Sequence, residues 1–414
     1  MIHNFDLKVE NINNISLEEK KFREKSLKIF NEEGFPNKKA EEWKFTDLNK
    51  IINDNFEKIS NYDKPLKDTK LSLIDDFEHN SITLVNGYLN SKNFAYENVK
   101  KIKINNFDEK LSTKENTNNS LLHLNNALFK GGYLLEVGDN YKFTKPLIIY
   151  NFFSEDLKNK IINNKNLIKL NNNSHLEIIE FNFDKSKDNF IQNNFTKIVI
   201  GENASLKNYT VQGCKSNGFY YKFIKSELNN KSNYEDYIFS SGLKFNKIEE
   251  EVNINGNEAN CNIQSALFLD TKSHQEIKTQ INHLTPNCKS YQKIKNVLNK
   301  NCKGAYQGKI FVKDIAQKTN AYQLSKALLL DDSSEFNAKP ELEIYADDVK
   351  CSHGSTSGSM NEDSIYYLMT RGITRKNAIE LLTKAFLFEV LSSIPDSNIK
   401  NFVEKNLDRQ IYGH

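Results

Sequence analysis

The sequence predicts a mainly β chain with a parallel β-helix core and helical parts before and after it. Three observations carry that prediction. From about residue 121, short runs rich in Ile, Leu, Phe and Tyr alternate with polar residues, and small polar turns separate them. The turns resemble one another: D-T-K-S-H-Q-E-I begins at Asp270, P-N-C-K-S-Y-Q-K-I at Pro286, N-C-K-G-A-Y-Q-G-K-I at Asn301 and A-Q-K-T-N-A-Y-Q-L at Ala316. His274, Tyr291, Tyr306 and Tyr322 hold the equivalent position at spacings of 17, 15 and 16 residues, and Gln275, Gln292, Gln307 and Gln323 follow them. Finally, no helix-length amphipathic pattern falls between these runs, which argues against a doubly wound α/β fold. A strand-plus-turn unit cannot bury its apolar face alone, but stacked units share a continuous core. Stacked Gln and Asn can form side-chain ladders along it. A large β-sandwich is the alternative, and its connections would be less regular.

Taken in order, the chain divides at 1–120 (helical and mixed), 121–360 (β-helix) and 361–414 (helical). Residues 1–15 are polar and expected to be loose. Ser16 with Glu19 forms a capping box, and the helix that follows ends at Gly34, with Leu17, Leu27 and Phe30 as a partial apolar face. Pro36–Leu48 holds the only tryptophan, Trp43, read as a packing anchor. Between 50 and 120 the pattern is mixed, but Ser81–Val85 followed by Asn86-Gly87 reads as a strand and turn. Leu147–Tyr150, His175–Phe181 and Lys197–Ile200 are typical strands of the core. Asn171–Asn173 and Asn229-Asn230 are read as turns.

After Gly358 the texture becomes helical. Glu362–Thr370 is a short helix with Gly372 near its C′ position. Thr374 caps a longer helix through Ile379, Leu382, Ala385, Phe386, Val390 and Leu391, ended by Pro395. Ser397 caps a last helix to about Arg409. The apolar face with Leu382, Ala385 and Phe386 suits a cap on the solenoid end, a partner site, or both.

A formal net charge of +3 over 414 residues is close to neutral. It calls for neither nucleic acid nor an anionic membrane as partner. The N-terminus has no apolar run of signal-peptide length, and no segment nears 18 consecutive apolar residues. Five cysteines, at 214, 261, 288, 302 and 351, form no C-x-x-C pair. A cytoplasmic, reduced protein with free thiols is expected. Heavy use of Asn, Lys and Ile is attributed to AT-rich coding.

No Walker A loop, G-x-G-x-x-G or H-E-x-x-H is present, so no ATP site is expected in this chain. Cys214, Cys261, Cys288 and Cys302 are read as small buried hydrophobes, with Cys288 and Cys302 stacked on neighbouring rungs. Cys351 and His353 differ, because polar residues, Gly354 and Gly358 surround them. Two residues apart on a strand, they point to one face. Thiolate and imidazole both ligate iron–sulfur species, but two ligands cannot close a site, so others must come from elsewhere. Asp347 and Asp348 form a second candidate pair.

The runs Ala305–Leu330, Leu342–Gly358 (L-E-I-Y-A-D-D-V-K-C-S-H-G-S-T-S-G) and Tyr366–Ile373 (Y-Y-L-M-T-R-G-I), with A-E-E-W-K-F-T-D-L upstream, resemble the SufB/SufD family of iron–sulfur cluster assembly proteins, on its SufD branch. Ser357–Met360 departs from the Val-Gly-containing stretch usual there. The resemblance implies a right-handed parallel β-helix and a non-ATPase scaffold subunit that pairs with a SufB-like subunit and binds a SufC-like ATPase. Sulfur would come from a cysteine desulfurase system. It implies a transient iron–sulfur cluster shared with SufB at Cys351 and His353, and ATPase docking at Tyr367, Arg371, Gly372 and Ile373. Reduced flavin at the level of the complex and a homodimer of the isolated chain are compatible with it. Two other readings stay open: a β-helix enzyme on acidic polysaccharide using Asp347 and Asp348, and a purely structural partner of SufB.

Overall fold

The computed structural model describes residues 5–9, 15–63, 73–107, 118–212 and 214–412. Its N-terminal part holds β1 (Phe5–Asp6), α1 (Leu17–Glu33), a 3-10 turn (Glu41–Trp43), α2 (Leu48–Asn55) and β2 (Ile59–Asn61). A hairpin of β3 (Asn80–Val85) and β4 (Tyr88–Asn93) follows, then β5 (Ile102–Asn106) and α3 (Ser120–Leu128). The solenoid strands are β6 (Tyr133–Val137), β7 (Leu147–Phe153), β8 (Lys160–Leu170), β9 (His175–Asp184), β10 (Phe190–Ile200), β11 (Ser205–Gln212), β12 (Ser216–Leu228) and β13 (Asn233–Ser241). They continue as β14 (Leu243–Ile254), β15 (Asn260–Leu269), β16 (His274–His283), β17 (Lys289–Leu298), β18 (Lys303–Val312), β19 (Asn320–Leu329), β20 (Glu335–Ile344) and β21 (Lys350–Ser359). Helices α4 (Glu362–Thr370), α5 (Arg375–Leu391) and α6 (Ser397–Tyr412) close the chain.

The core is the expected parallel β-helix. Even-numbered strands from β8 to β20 pair in parallel in one sheet, and odd-numbered strands from β7 to β21 pair in parallel in the other. One turn therefore takes two strands and 26 to 32 residues, as Phe219↔Phe245 and Lys303↔Glu335 show. The 16-residue repeat read from the sequence is half a turn. Tyr291-Gln292 does lie beside Tyr322-Gln323 in the ladder. His274 instead pairs with Lys303, three positions from Tyr306. Cys288 and Cys302 fall at opposite ends of β17 and do not stack: Cys288 faces the Gly256 carbonyl at 3.2 Å, and Cys302 the Leu269 carbonyl at 3.5 Å. Parallel pairing already includes β2 against β8 and β3 against β7, so the ladder reaches back across position 121.

Alternation along each strand sends one set of side chains into the lumen between the sheets. Leu147, Ile178, Ile198, Ile238, Ile277 and Tyr306 belong to that continuous buried core. The helical parts do not cap the solenoid end; each covers the outside of one sheet. On the first sheet, Trp43, Leu48, Ile52, Leu121 and Leu124 pack on Ile161, Ile191, Phe219, Tyr221 and Phe245. On the second, Leu387, Val390, Leu391, Ile394, Ile399, Phe402, Val403 and Leu407 pack on residues such as Ile179, Tyr209, Phe239 and Val297. A buried aliphatic or aromatic side chain contributes about 1.5–3 kcal/mol. Eight such contacts fix α5 and α6, whereas α4 buries only Ile365.

The caps follow the sequence with two changes. Ser16 Oγ accepts from the Glu19 N–H at 3.1 Å, and Gly34 ends α1 at φ +71°. The buried face of α1 is not Leu17, which is 71% exposed, but Glu19, Arg23, Ser26 and Phe30. Arg23 is held there by Glu19 Oε1 and the Phe129 carbonyl, both at 2.9 Å. Asp396, not Ser397, accepts the first N–H groups of α6, from Asn398 and Ile399. The loose stretch expected at 1–15 lies mostly outside the described residues, although β1 pairs with β2.

Candidate functional site

The last turn of the solenoid is open. The second sheet ends at β21 and the first at β20, so among the described residues each presents a strand edge with no further strand upon it. Every residue of β21 is exposed or half-buried. Cys351 lies beside Ala321 in the ladder, and His353 beside Gln323. Cys351 is half-buried against the small apolar group of Ile310, Val312, Ala316, Ala321 and Ala346. That burial pushes its thiol pKa above the ordinary value, partly offset by a backbone hydrogen bond with Ala321. His353 is exposed. The strand thus places a sheltered thiol and a solvent-facing imidazole on one side, at an unpaired edge, as alternation requires.

One turn inward, the support is polar and rigid. The Tyr306 hydroxyl donates to Gln323 Oε1 at 3.1 Å, and Gln323 Nε2 donates to the Glu341 carbonyl at 3.2 Å. Gly308 makes this possible: a Cβ there would strike both the Tyr306 hydroxyl and Gln323 Oε1. The sequence showed the Tyr-Gln repeat but not that Tyr306 and Gln323, from opposite sheets, meet behind His353.

Among the described residues, no group of three or more His, Cys, Asp or Glu side chains is arranged to hold a metal ion. Asp347 and Asp348 sit exposed in the turn between β20 and β21. The Asp348 N–H donates to Gln317 Oε1 at 2.8 Å, and its carbonyl accepts from Lys318 at 2.6 Å. They serve a corner of the solenoid rather than a strand face. Cys261, Cys288 and Cys302 are buried, and Cys214 half-buried, with burial pushing up the thiols of Cys214 and Cys261.

Beyond β21 the chain runs through Met360 and Asn361 directly into α4. Asn361 caps α4 by accepting the Ser364 N–H at 2.9 Å. The helix ends in a Schellman motif: Gly372 N–H donates to Met369 O at 3.0 Å and Ile373 N–H to Leu368 O at 3.3 Å. Gly372, at φ +84°, supplies the left-handed residue this requires. Arg371 lies over the Tyr367 ring at 5.1 Å and donates to its hydroxyl at 3.1 Å. Tyr366, Tyr367 and Met369 are exposed, giving α4 an apolar outer surface. Arg375 clamps α4 to α5 through Glu362, at 2.8 and 2.7 Å.

The seat of α5 is ionic as well as apolar. Lys295 donates to the Phe386 carbonyl at 2.8 Å and bonds Glu389, while Lys293 reaches Glu389 at 2.9 Å. Those two ammonium groups hold the Glu389 carboxyl down to about 2. No sequence spacing announced this pairing, because the partners lie about a hundred residues apart. Among the described residues, no helix is long and apolar enough to cross a membrane.

Residues 152–386 match the family description "SUF system FeS cluster assembly, SufBD core domain", and residues 3–149 match "SufBD protein N-terminal region". The chain is 26% identical over 390 residues to the iron–sulfur cluster assembly protein SufD of Escherichia coli, covering 92% of this chain and 90% of that one. It is 22% identical over 386 residues to an iron–sulfur cluster assembly SufBD family protein of Synechocystis, covering 88% and 85%. A SufD of Plasmodium falciparum is 26% identical over 249 residues, covering 59% of this chain and 17% of the other.

Proposed function

Because the chain belongs to the SufBD family of iron–sulfur cluster assembly proteins, we propose that it is the SufD-like subunit of a cytoplasmic assembly complex, a scaffold rather than an enzyme. Its open last turn would take a SufB-like subunit edge to edge. A SufC-like ATPase would dock on the exposed face of α4 at Tyr367 and on the turn Arg371-Gly372-Ile373. The observation that carries the reading is the placement of Cys351 and His353 on an unpaired terminal strand. Two ligands there are half of a site, and a second strand laid on the edge can bring the rest.

The chemistry follows from the environment of each group. Iron and sulfide are the cargo. Cys351, raised by burial, is held as a thiol until a cation arrives to stabilise the thiolate. His353, already in solvent, can offer a ring nitrogen or carry the proton released. The covalent run from β21 into α4 gives the ATPase a lever: a pull on α4 acts on the strand that bears both residues, while the apolar seat of α5 and α6 stays in place. Sulfur would be supplied by a cysteine desulfurase system, and reduced flavin would act at the level of the complex.

The test is anaerobic cluster reconstitution on the complex with SufB-like and SufC-like partners. Cys351→Ala and His353→Ala should each lower the cluster yield several-fold while the complex stays intact. Wild-type yield from both variants would overturn the site. One observation favours a second reading, a purely structural subunit: the burial that raises the Cys351 thiol disfavours thiolate at rest. Spectra of the SufB–SufC pair with and without this chain separate the two, since a structural subunit would leave the bands of the cluster unchanged.

A further inference from the structure

A cavity of about 810 Å³ lies between the N-terminal part and the beginnings of strands β12, β14, β16 and β18, on the outer side of the first sheet. Its size falls within the range of small-molecule sites. Five lysines converge on it: Lys38 and Lys50 from the N-terminal part, Lys244 and Lys303 from strand starts, and Lys272 from the turn before β16. Two carboxylates oppose them, Asp47 and Asp54, and Asp47 already accepts the Lys50 N–H as the cap of α2 at 2.9 Å. Lys244 donates to Asn189, and Lys303 lies 3.7 Å from Glu335. Among the described residues, no carboxylate lies within ion-pair range of Lys38, Lys50 or Lys272.

One lining residue, His274, is held from behind the cavity. The Thr46 hydroxyl has a single proton, and it lies against both Glu276 and His274 Nε2, the latter at 2.7 Å. Glu276 is held ionised by Lys247 at 2.6 Å, so it can only accept. Thr46 therefore donates to Glu276 and accepts from the Nε2–H of His274. Burial lowers the His274 pKa to about 4, so the ring is neutral, and its Nδ1 remains an acceptor. The half-buried Phe45 ring, backed by the buried Phe219 and Phe245, supplies apolar wall.

We infer that this cavity binds a phosphate-rich small molecule carried on an apolar body, the chemistry of a nucleotide. Five lysine ammonium groups along one cavity, three of them outside ion-pair range of a carboxylate, fit several phosphate charges, and the rings fit the remainder. Concavity on this scale favours a small molecule over a macromolecular surface. The inference is independent of the role proposed for Cys351 and His353.

The test is calorimetric titration of the full chain alone, at low ionic strength and without divalent metal, using ATP and pyrophosphate as probes. ATP should bind, weaken as salt rises, and outcompete pyrophosphate by roughly tenfold, the worth of about one good apolar contact. The Lys50→Ala/Lys272→Ala double variant should lose about tenfold or more in ATP affinity, while Lys100→Ala, remote from the cavity, should match wild type. Both altered lysines are exposed, and an unchanged thermal transition confirms folding. Absence of ATP binding at about 1 mM, or wild-type affinity in the double variant, would overturn the site. Equal affinity for pyrophosphate would overturn the apolar half of the inference.

Discussion

Glu389→Gln should loosen α5 from the second sheet without unfolding the solenoid. The substitution keeps the shape of the side chain and removes the charge that Lys293 and Lys295 share. Lowering the Glu389 carboxyl from 4.5 to about 2 corresponds to about 3.4 kcal/mol as an upper bound, at 1.36 kcal/mol per pH unit. The carboxylate is 47% exposed, so screening reduces the realised value to about 1–1.5 kcal/mol. Against this, Lys295 is only 3% exposed, and losing its counter-charge leaves a buried ammonium facing only the carbonyl and ring of Phe386 and a neutral amide oxygen. Amide hydrogen exchange along Leu387–Leu391 should therefore quicken by about five- to tenfold, with strands β13 and β15 unchanged. In the wild-type chain the sign is fixed by the lowered pKa. The stabilisation is complete above about 4.5 and disappears as pH falls through about 2. Unaltered exchange in α5 would refute the ionic seat and leave apolar packing alone to hold the helix. Uniform quickening across both sheets would refute its local character.

Other outcomes test the lumen. Glu250 and Asp236 are buried, and burial raises both carboxyls, Glu250 most strongly. The folded state thus holds protons that the unfolded chain releases above about 4.5, and stability falls as pH rises beyond that. Glu250→Gln should flatten the decline of the thermal midpoint as pH rises above about 4.5; a wild-type slope in the variant would show that the pair does not carry it. Gly308→Ala should lower stability by about 1–3 kcal/mol, because the added methyl displaces the Tyr306–Gln323 contact. Denaturant titration measures this, and a neutral result would mean that the contact yields without cost. Thr46→Val should loosen the N-terminal part by about 1–3 kcal/mol, since Glu276 and His274 each lose a buried partner. An unchanged emission wavelength of Trp43, the only tryptophan, would contradict it.

Much of the fold was legible in the sequence because its signals are local. Short alternating runs with similar turns specify a strand-and-turn solenoid, since only stacking buries one face of each strand. Ser16, Gly34, Thr374 and Gly372 marked helix ends through short-range hydrogen bonds that residue type and spacing specify. The C-S-H-G block was legible as a candidate site for the same reason: a two-residue spacing on a strand fixes a common face.

Tertiary structure decided what distance in sequence concealed. Whether a 16-residue repeat is a turn or half of one depends on which strands pair, and pairing is settled across about 30 residues by the lumen as a whole. The helical parts cover sheet faces rather than an end because the outward sides of the strands carry rows such as Tyr209, Phe239 and Val297, which need apolar partners. That arrangement leaves the last turn open and puts Cys351 and His353 at an unpaired edge. The sequence by itself determined that a thiol and an imidazole, Cys351 and His353, share one face of a strand. Only the packing of the whole chain determined that this face is uncovered, because an edge is free or buried according to where every other element has gone.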